Sequence, residues 1–216
     1  MKLVERIGET RNIIELHETN GSKASSGKIV NLQDLLLDSY KQDLIGLASK
    51  IQRGDVSALK QAGELVKKIH LSQLIKGRGG DFNAITNKDF GVVGSVLKKQ
   101  YYAGKGDDGK PYGLRHLFKE ASEGKVSDKQ LAHRLSMYAD SGKLSFSNGE
   151  LESRKETGYK SKKRILGVAE HCPDCVRYAS FGWIGIDDNS LPPITVACQC
   201  GVNCKCSFEY SRDIKY

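Results

Sequence analysis

Glu170-His171-Cys172-Pro173-Asp174-Cys175 and Cys198-Gln199-Cys200-Gly201-Val202-Asn203-Cys204-Lys205-Cys206 contain all six cysteines of this 216-residue chain. No cysteine precedes Cys172. Thiols crowded into one end of a chain are held together there, and the candidates are a metal ion or disulfides. A two-residue spacer forms a tight turn that aims both sulfurs at one point, which favours a metal with Zn–S bonds of about 2.3 Å. A disulfide between such close neighbours is usually a redox device, and no βαβ pattern surrounds this one. The interval to the second group is slightly longer than the usual gap between zinc-ribbon cysteine pairs. Pro173 stiffens the first turn, and Gly201 and Asn203 let the second bend back. These features predict a structural zinc site rather than a disulfide cluster.

Tetrahedral zinc takes four ligands, and six thiols are present. Cys172 and Cys175 form the first pair. Cys200 and Cys204, separated by a turn, suit convergence better than Cys198 or Cys206. The expected ligands are therefore Cys172, Cys175, Cys200 and Cys204, with Cys198 and Cys206 as alternative or additional ligands. A binuclear cluster sharing all six thiolates is the competing arrangement. His171 adjoins a ligand, and adjacent residues rarely reach the same ion, so it is expected to be an ordinary exposed histidine.

Outward from this stretch, the composition is that of a globular chain with enough apolar residues, 38%, to build a core. No run of 18 apolar residues predicts a transmembrane helix. The N-terminus is charged throughout and lacks the apolar region of a signal peptide, so a reducing cytoplasm is expected. The net charge of +8 permits contact with a polyanion. Lys160, Lys162, Lys163 and Arg164 close a polar segment, residues 149–164, and are the candidate phosphate contacts.

Residues 1–27 read as an arm, helical over 1–19, followed by a Gly/Ser-rich linker. Residues 28–166 read as a body of about five helices. Leu32 to Arg53 is one, capped by Asn31; Asp55 caps another over Val56 to Lys76, and the two are expected to form an antiparallel hairpin. A third runs from Thr86 or Asn87 to about Ala103, with Gly91 and Gly94 inside it. An exposed loop follows over 104–111. Pro111 is expected to start a fourth helix reaching Glu123, and Ser127 caps a fifth and longest one, through Leu131, Leu135 and Tyr138 towards Leu144. Residues 167–216 form the cysteine-rich module and tail, with short strands over 177–186 covering the metal and Trp183 as packing anchor. The fold class is mainly α, with a small C-terminal zinc-binding module containing short β-strands. No catalytic constellation emerges: there is no Gly-rich phosphate loop on a strand, no Gly-x-Ser-x-Gly and no His-Glu-x-x-His.

From about Leu47 to Tyr210 the chain resembles the Mu F-like minor head proteins, or head morphogenesis proteins, of tailed bacteriophages. Weaker points of likeness are Gly54, Gly79-Gly80, Gln100-Tyr101, Leu114 to Phe118, Gly124 to Ser127 and Arg134 to Tyr138. The strongest are Glu170 to Cys175 with Tyr178, Gly182-Trp183 and Leu191-Pro192, then Asn203 to Cys206. Many members carry His-Pro-x-Cys-x-Cys at the end; here no histidine precedes Cys204, and Cys200 stands in for that ligand. The resemblance implies a non-catalytic virion component, made in the bacterial cytoplasm and placed in the phage head. Its implied partners are the portal or the major capsid protein, with double-stranded DNA as a further contact and a symmetric or homo-oligomeric arrangement. The competing readings are a nucleic-acid-binding zinc-ribbon protein and a capsid-decorating cement protein.

Overall fold

Asp55, Thr86 and Ser127 each start a helix, and each does so with its side chain. Asp55 accepts from the Ser57 backbone N–H at 2.9 Å. Thr86 and Ser127 form reciprocal capping boxes with Asp89 and Gln130. In the computed structural model, residues 32–216 are described except for 103, 106–108, 110 and 196–197, with side chains described from residue 37 apart from those of 104 and 105. The expected arm, its linker and the Asn31 cap lie outside the described residues.

The helices are α1 (Leu32–Gly46), α2 (Ala48–Gln52), α3 (Val56–Gly77), α4 (Asn87–Tyr101), α5 (Leu114–Ser122), α6 (Asp128–Asp140), α7 (Gly142–Glu156) and α8 (Pro173–Ser180). The strands are β1 (Gly104–Lys105), β2 (Pro111–Tyr112), β3 (Ser161–Ile165), β4 (Ile184–Gly185) and β5 (Ser207–Ser211). The fold is mainly helical, with a few short strands and a cysteine cluster near the C-terminus.

Several expected boundaries move. The helix expected over 32–53 breaks at Leu47, next to Gly46, which weakens a helix by about 1 kcal/mol relative to alanine. Pro111 does not start a helix: it lies in β2, paired with Lys105, and α5 starts after Gly113 at φ 111°. Residues at both ends of the expected exposed loop thus form a ladder. The expected fifth helix breaks at Ser141, whose hydroxyl donates to the Tyr138 carbonyl at 2.5 Å. It gives way to α7 (Gly142–Glu156), which takes in the first half of the polar segment 149–164. The longest helix among the described residues is α3.

The helical core gathers Leu44, Ile51, Val66, Ile69, Leu131 and Leu135 from four helices. Full burial of one such side chain is worth about 1.5–3 kcal/mol. On its other side α3 packs against α7 with almost no side chain between. A Cβ on Gly77 would stand 2.3 Å from the Phe146 carbonyl oxygen, and one on Gly149 would stand 2.7 Å from that of Leu74. At the near end of α7, a Cβ on Gly142 would meet the Ile69 side chain at 2.9 Å. Gly91 and Gly94 differ: a Cβ there would meet nothing within 4 Å, so they loosen α4 without admitting a neighbour.

Two polar clusters fix the same interface. Arg78, just past α3, pairs with Asp89 of α4 at 2.6 Å and with Glu156 of α7 at 2.7 Å. Fully buried His70 sits between Ser145 Oγ, 2.7 Å from Nδ1, and Gln100 Oε1, 3.0 Å from Nε2. A carbonyl oxygen only accepts, so Nε2 carries the proton and Ser145 donates to Nδ1.

β3 is the centre of an antiparallel sheet in the order β4-β3-β5, with Ser161 opposite Ser211 and Ile165 opposite Ser207. The chain thus leaves the helical body in β3, makes the cysteine region and returns in β5. A boundary between residues 166 and 167 would cut this ladder, and Leu32–Tyr216 form one compact unit.

Two stability experiments follow from this packing. Gly149→Ala should destabilise by about 1–3 kcal/mol in urea unfolding, the cost of overpacking against a fixed backbone. Gly91→Ala should be neutral or stabilise by about 0.5–1 kcal/mol; equal effects at both sites would refute the close crossing. Burial lowers the His70 pKa to about 4, with the Gln100 hydrogen bond opposing it. The unfolded histidine titrates near 6.5, so the neutral ring contributes stability that is fully present above that pH. This contribution falls as the pH drops towards 4, by about 3 kcal/mol in total. His70→Gln should flatten the loss of stability between pH 6.5 and 5, where carboxylates contribute least.

Candidate metal centre

Pro173 at the first position of α8 and Cys172 at its N-cap turn the Cys-x-x-Cys segment into a helix start. The Cys172 carbonyl accepts from the Cys175 and Val176 backbone N–H groups at 3.0 and 3.3 Å. Both thiols therefore lie at the positive end of a helix, where thiolates are favoured. Asp174, between them, accepts from the Gln199 backbone N–H at 3.1 Å and ties the two cysteine groups together. In the second group, Cys200 leads into a single 3-10 turn, Gly201–Asn203, with Gly201 at φ 51°. The turn reverses the chain so that Cys204 faces back inward before β5 begins.

All six cysteines are free thiols. They gather around Cys175, which is fully buried with Cys204, Cys206 and Ile194 beside it. Cys175 Sγ lies 3.6 Å from Cys204 Sγ and 3.8 Å from Cys200 Sγ. Two sulfurs on one tetrahedral ion with bonds near 2.3 Å stand about 3.8 Å apart. Three trios of donor atoms are each close enough to hold an ion: Cys172, Cys175 and Cys200; Cys175, Cys198 and Cys204; and His171, Cys175 and Cys206. The cysteine–histidine cluster can thus hold a metal ion.

The four cysteines expected as ligands all belong to this cluster, but not to a single trio: Cys204 groups with Cys198 instead of Cys172 and Cys200. His171 departs from expectation. It is partly buried, its Nδ1 lies 3.8 Å from Cys206 Sγ, and its Nε2 is 2.7 Å from the Gly167 carbonyl oxygen. The only sequence signal for it was its place beside Cys172.

The local field divides the thiols. Burial tends to raise the Cys172 pKa, but hydrogen bonds from the Cys175 backbone and the Cys200 thiol outweigh it and bring it down to about 6. Burial pushes the Cys175, Cys198 and Cys206 thiols up. Around Cys204, burial is outweighed by the Cys206 backbone N–H and the neighbouring thiols, and its pKa falls.

The four basic candidates do not form one exposed strip. Lys162 and Arg164 are each 2% exposed, because alternate residues of β3 point inward. Lys163 pairs with Glu209 across the ladder at 2.9 Å, and Lys160 is exposed. Arg164 lies between the rings of Tyr178 and Phe208, 4.8 and 5.6 Å from their centroids, and donates to the Pro192 carbonyl at 3.1 Å. Its Nε and Nη1 have no hydrogen-bond partner among the described residues. Its charge acts on Cys206, pulling that thiol down against the effect of burial.

Of the expected strand pair over 177–186, residues 177–180 belong to helix α8 and only Ile184–Gly185 are extended. Trp183 is not a buried anchor: it is half-buried, with Lys163 and Lys215 over its ring at 4.6 and 4.8 Å. Tyr178 and Leu191 fill the interior instead. Polar contacts join the region to α7: the Ile194 backbone N–H donates to Ser147 Oγ at 3.3 Å, Lys143 Nζ donates to the Val202 carbonyl at 3.1 Å, and Lys155 Nζ pairs with Asp187 at 2.9 Å.

No helix among the described residues is long and apolar enough to cross a membrane. No protein family, curated protein or solved structure matches this chain.

Chelation tests the centre directly. Reduced protein should show slow thiol modification until a strong chelator is added, and then rapid reaction at several cysteines. Limited proteolysis should open the 167–206 segment at the same time, while far-UV circular dichroism keeps most of its helical signal. Fast modification before chelation, with no change after it, would show that no metal holds the thiols.

Proposed function

We propose that the ion is zinc, bound for structure, and that the chain is a minor head protein of a tailed bacteriophage, acting in head assembly at the capsid or portal. Soft thiolates around one buried point suit zinc. Cys172, Cys175, Cys200 and Cys204 are the ligand set carried forward, with Cys175 as its centre. Bound there, zinc supplies cross-linking of the chain, and the residues do the rest: α8 orients the first two sulfurs, the 3-10 turn the later ones, and Arg164 balances charge.

One observation carries the structural reading. The residues on which the phage resemblance rests most strongly, including Cys175, Tyr178, Leu191, Cys204 and Cys206, are interior residues of the C-terminal region. They fill space instead of lining an open cleft. A catalytic zinc keeps one coordination position open, and a site so rich in thiols favours a closed one. DNA contact is left out of the proposal, since Lys162 and Arg164 point inward.

Mass spectrometry of purified phage particles tests the assignment. The chain should be present at a fixed ratio well below that of the major capsid protein. Cys175→Ser should reduce its incorporation into heads. Absence of the wild-type chain from both mature particles and assembly intermediates would overturn the head-protein reading.

A further inference from the structure

Seven donor groups converge on the centre, and a tetrahedral ion uses four. We propose that the centre is binuclear: two zinc ions bridged by the Cys175 thiolate, with all six cysteines and His171 as ligands. This inference rests on the structural-zinc reading above and extends it.

The donor count closes. Two tetrahedra sharing one corner have seven corners, and the cluster offers six thiols and one imidazole. The shared corner is identified independently, because Cys175 is the one residue present in all three donor trios. It is also fully buried, with the other thiols gathered around it. Cys172 with Cys200, and Cys198 with Cys204, each complete a trio with Cys175, giving three ligands to each ion. Cys206 and His171 are the two donors that remain; they form the third trio with Cys175 and supply the two fourth positions.

His171 is prepared for that role. Its Nε2 is the donor to the Gly167 carbonyl at 2.7 Å, which leaves Nδ1 with a free lone pair directed towards Cys206 Sγ at 3.8 Å. Metal-bound histidines are commonly oriented by a hydrogen bond of this kind from the other ring nitrogen to a backbone carbonyl. The carbonyl is itself held in place: a Cβ on Gly167 would stand 2.2 Å from the Lys205 carbonyl oxygen, so only glycine brings this segment so close to the cysteine loop. A single ion would leave three of the seven donors packed at the centre without a metal. Two zinc ions with six thiolates carry a residual negative charge. Arg164 beside Cys206 and Lys143 near Cys204 are placed to offset it.

Native mass spectrometry of the reduced, untagged full chain, titrated with zinc, reads the stoichiometry. Two zinc ions per chain are expected. His171→Asn should retain one ion and bind the second at least about tenfold more weakly, given that even an outer-shell partner of a ligand is worth 10–100-fold. His171→Cys, which restores a donor, should recover two. One ion in the wild type, unaffected by His171→Asn, would overturn the binuclear centre and leave the structural zinc standing. No zinc would overturn both. Two ions with unchanged affinity in His171→Asn would overturn the seven-donor arrangement.

Discussion

The backbone-to-backbone approach of α3 and α7 at Gly77 and Gly149 sets where everything C-terminal must go. Helices usually pack with axes 8–10 Å apart, spaced by their side chains; here there is no room for even a methyl group at the crossing. The approach brings Ser145 to His70 and Glu156 to Arg78, and so pairs polar groups across the interface. It also sets the position of α7, whose Ser147 and Lys143 hold the two ends of the later cysteine loop. The cysteine cluster is therefore anchored to the helical body through α7, although none of its thiols lies on α7.

The second organising feature is electrostatic. Thiolates taken out of water are costly unless they are paired or coordinated. The cluster combines a helix N-terminus, an arginine stacked between two rings and a metal-ready set of sulfurs. Each lowers the cost of burying the others. Arg164 is a buried cation whose Nε and Nη1 have no hydrogen-bond partner among the described residues, held instead between the rings of Tyr178 and Phe208.

Large apolar residues at helical spacing made α1, α3 and the cores of α5 and α6 readable, and short polar caps marked where helices begin. α7 was not readable for a physical reason. Its buried face is built from Gly142, Ser145 and Gly149, which carry no hydrophobic signal. A helix that buries backbone instead of side chains looks like a loop in sequence. The cysteine cluster was legible because its chemistry requires particular residue types at particular spacings. What was missed, His171 and Arg164, depends on the third dimension. Alternation along β3 turns Arg164 inward, and a hydrogen bond to Gly167 orients the imidazole. A basic run in sequence says nothing about which of its members face water.

The pairing of β3 with β5 has a kinetic side. Each helix is made of contacts between near neighbours in sequence, and such contacts form early. The ladder must wait until the chain has closed a loop spanning the whole cysteine region, and that closure costs entropy before any strand contact offsets it. An ion gathered by Cys172 and Cys175 and then by the later thiols shortens the search, because it holds the two ends of that loop near each other. Metal availability would then act as a timing control on folding: a chain made without the ion would hold a finished helical body and an open sheet edge. An exposed β3, carrying unpaired backbone groups, is a surface on which a second chain could pair wrongly. The staple thus protects the protein most during the interval before it is fully folded.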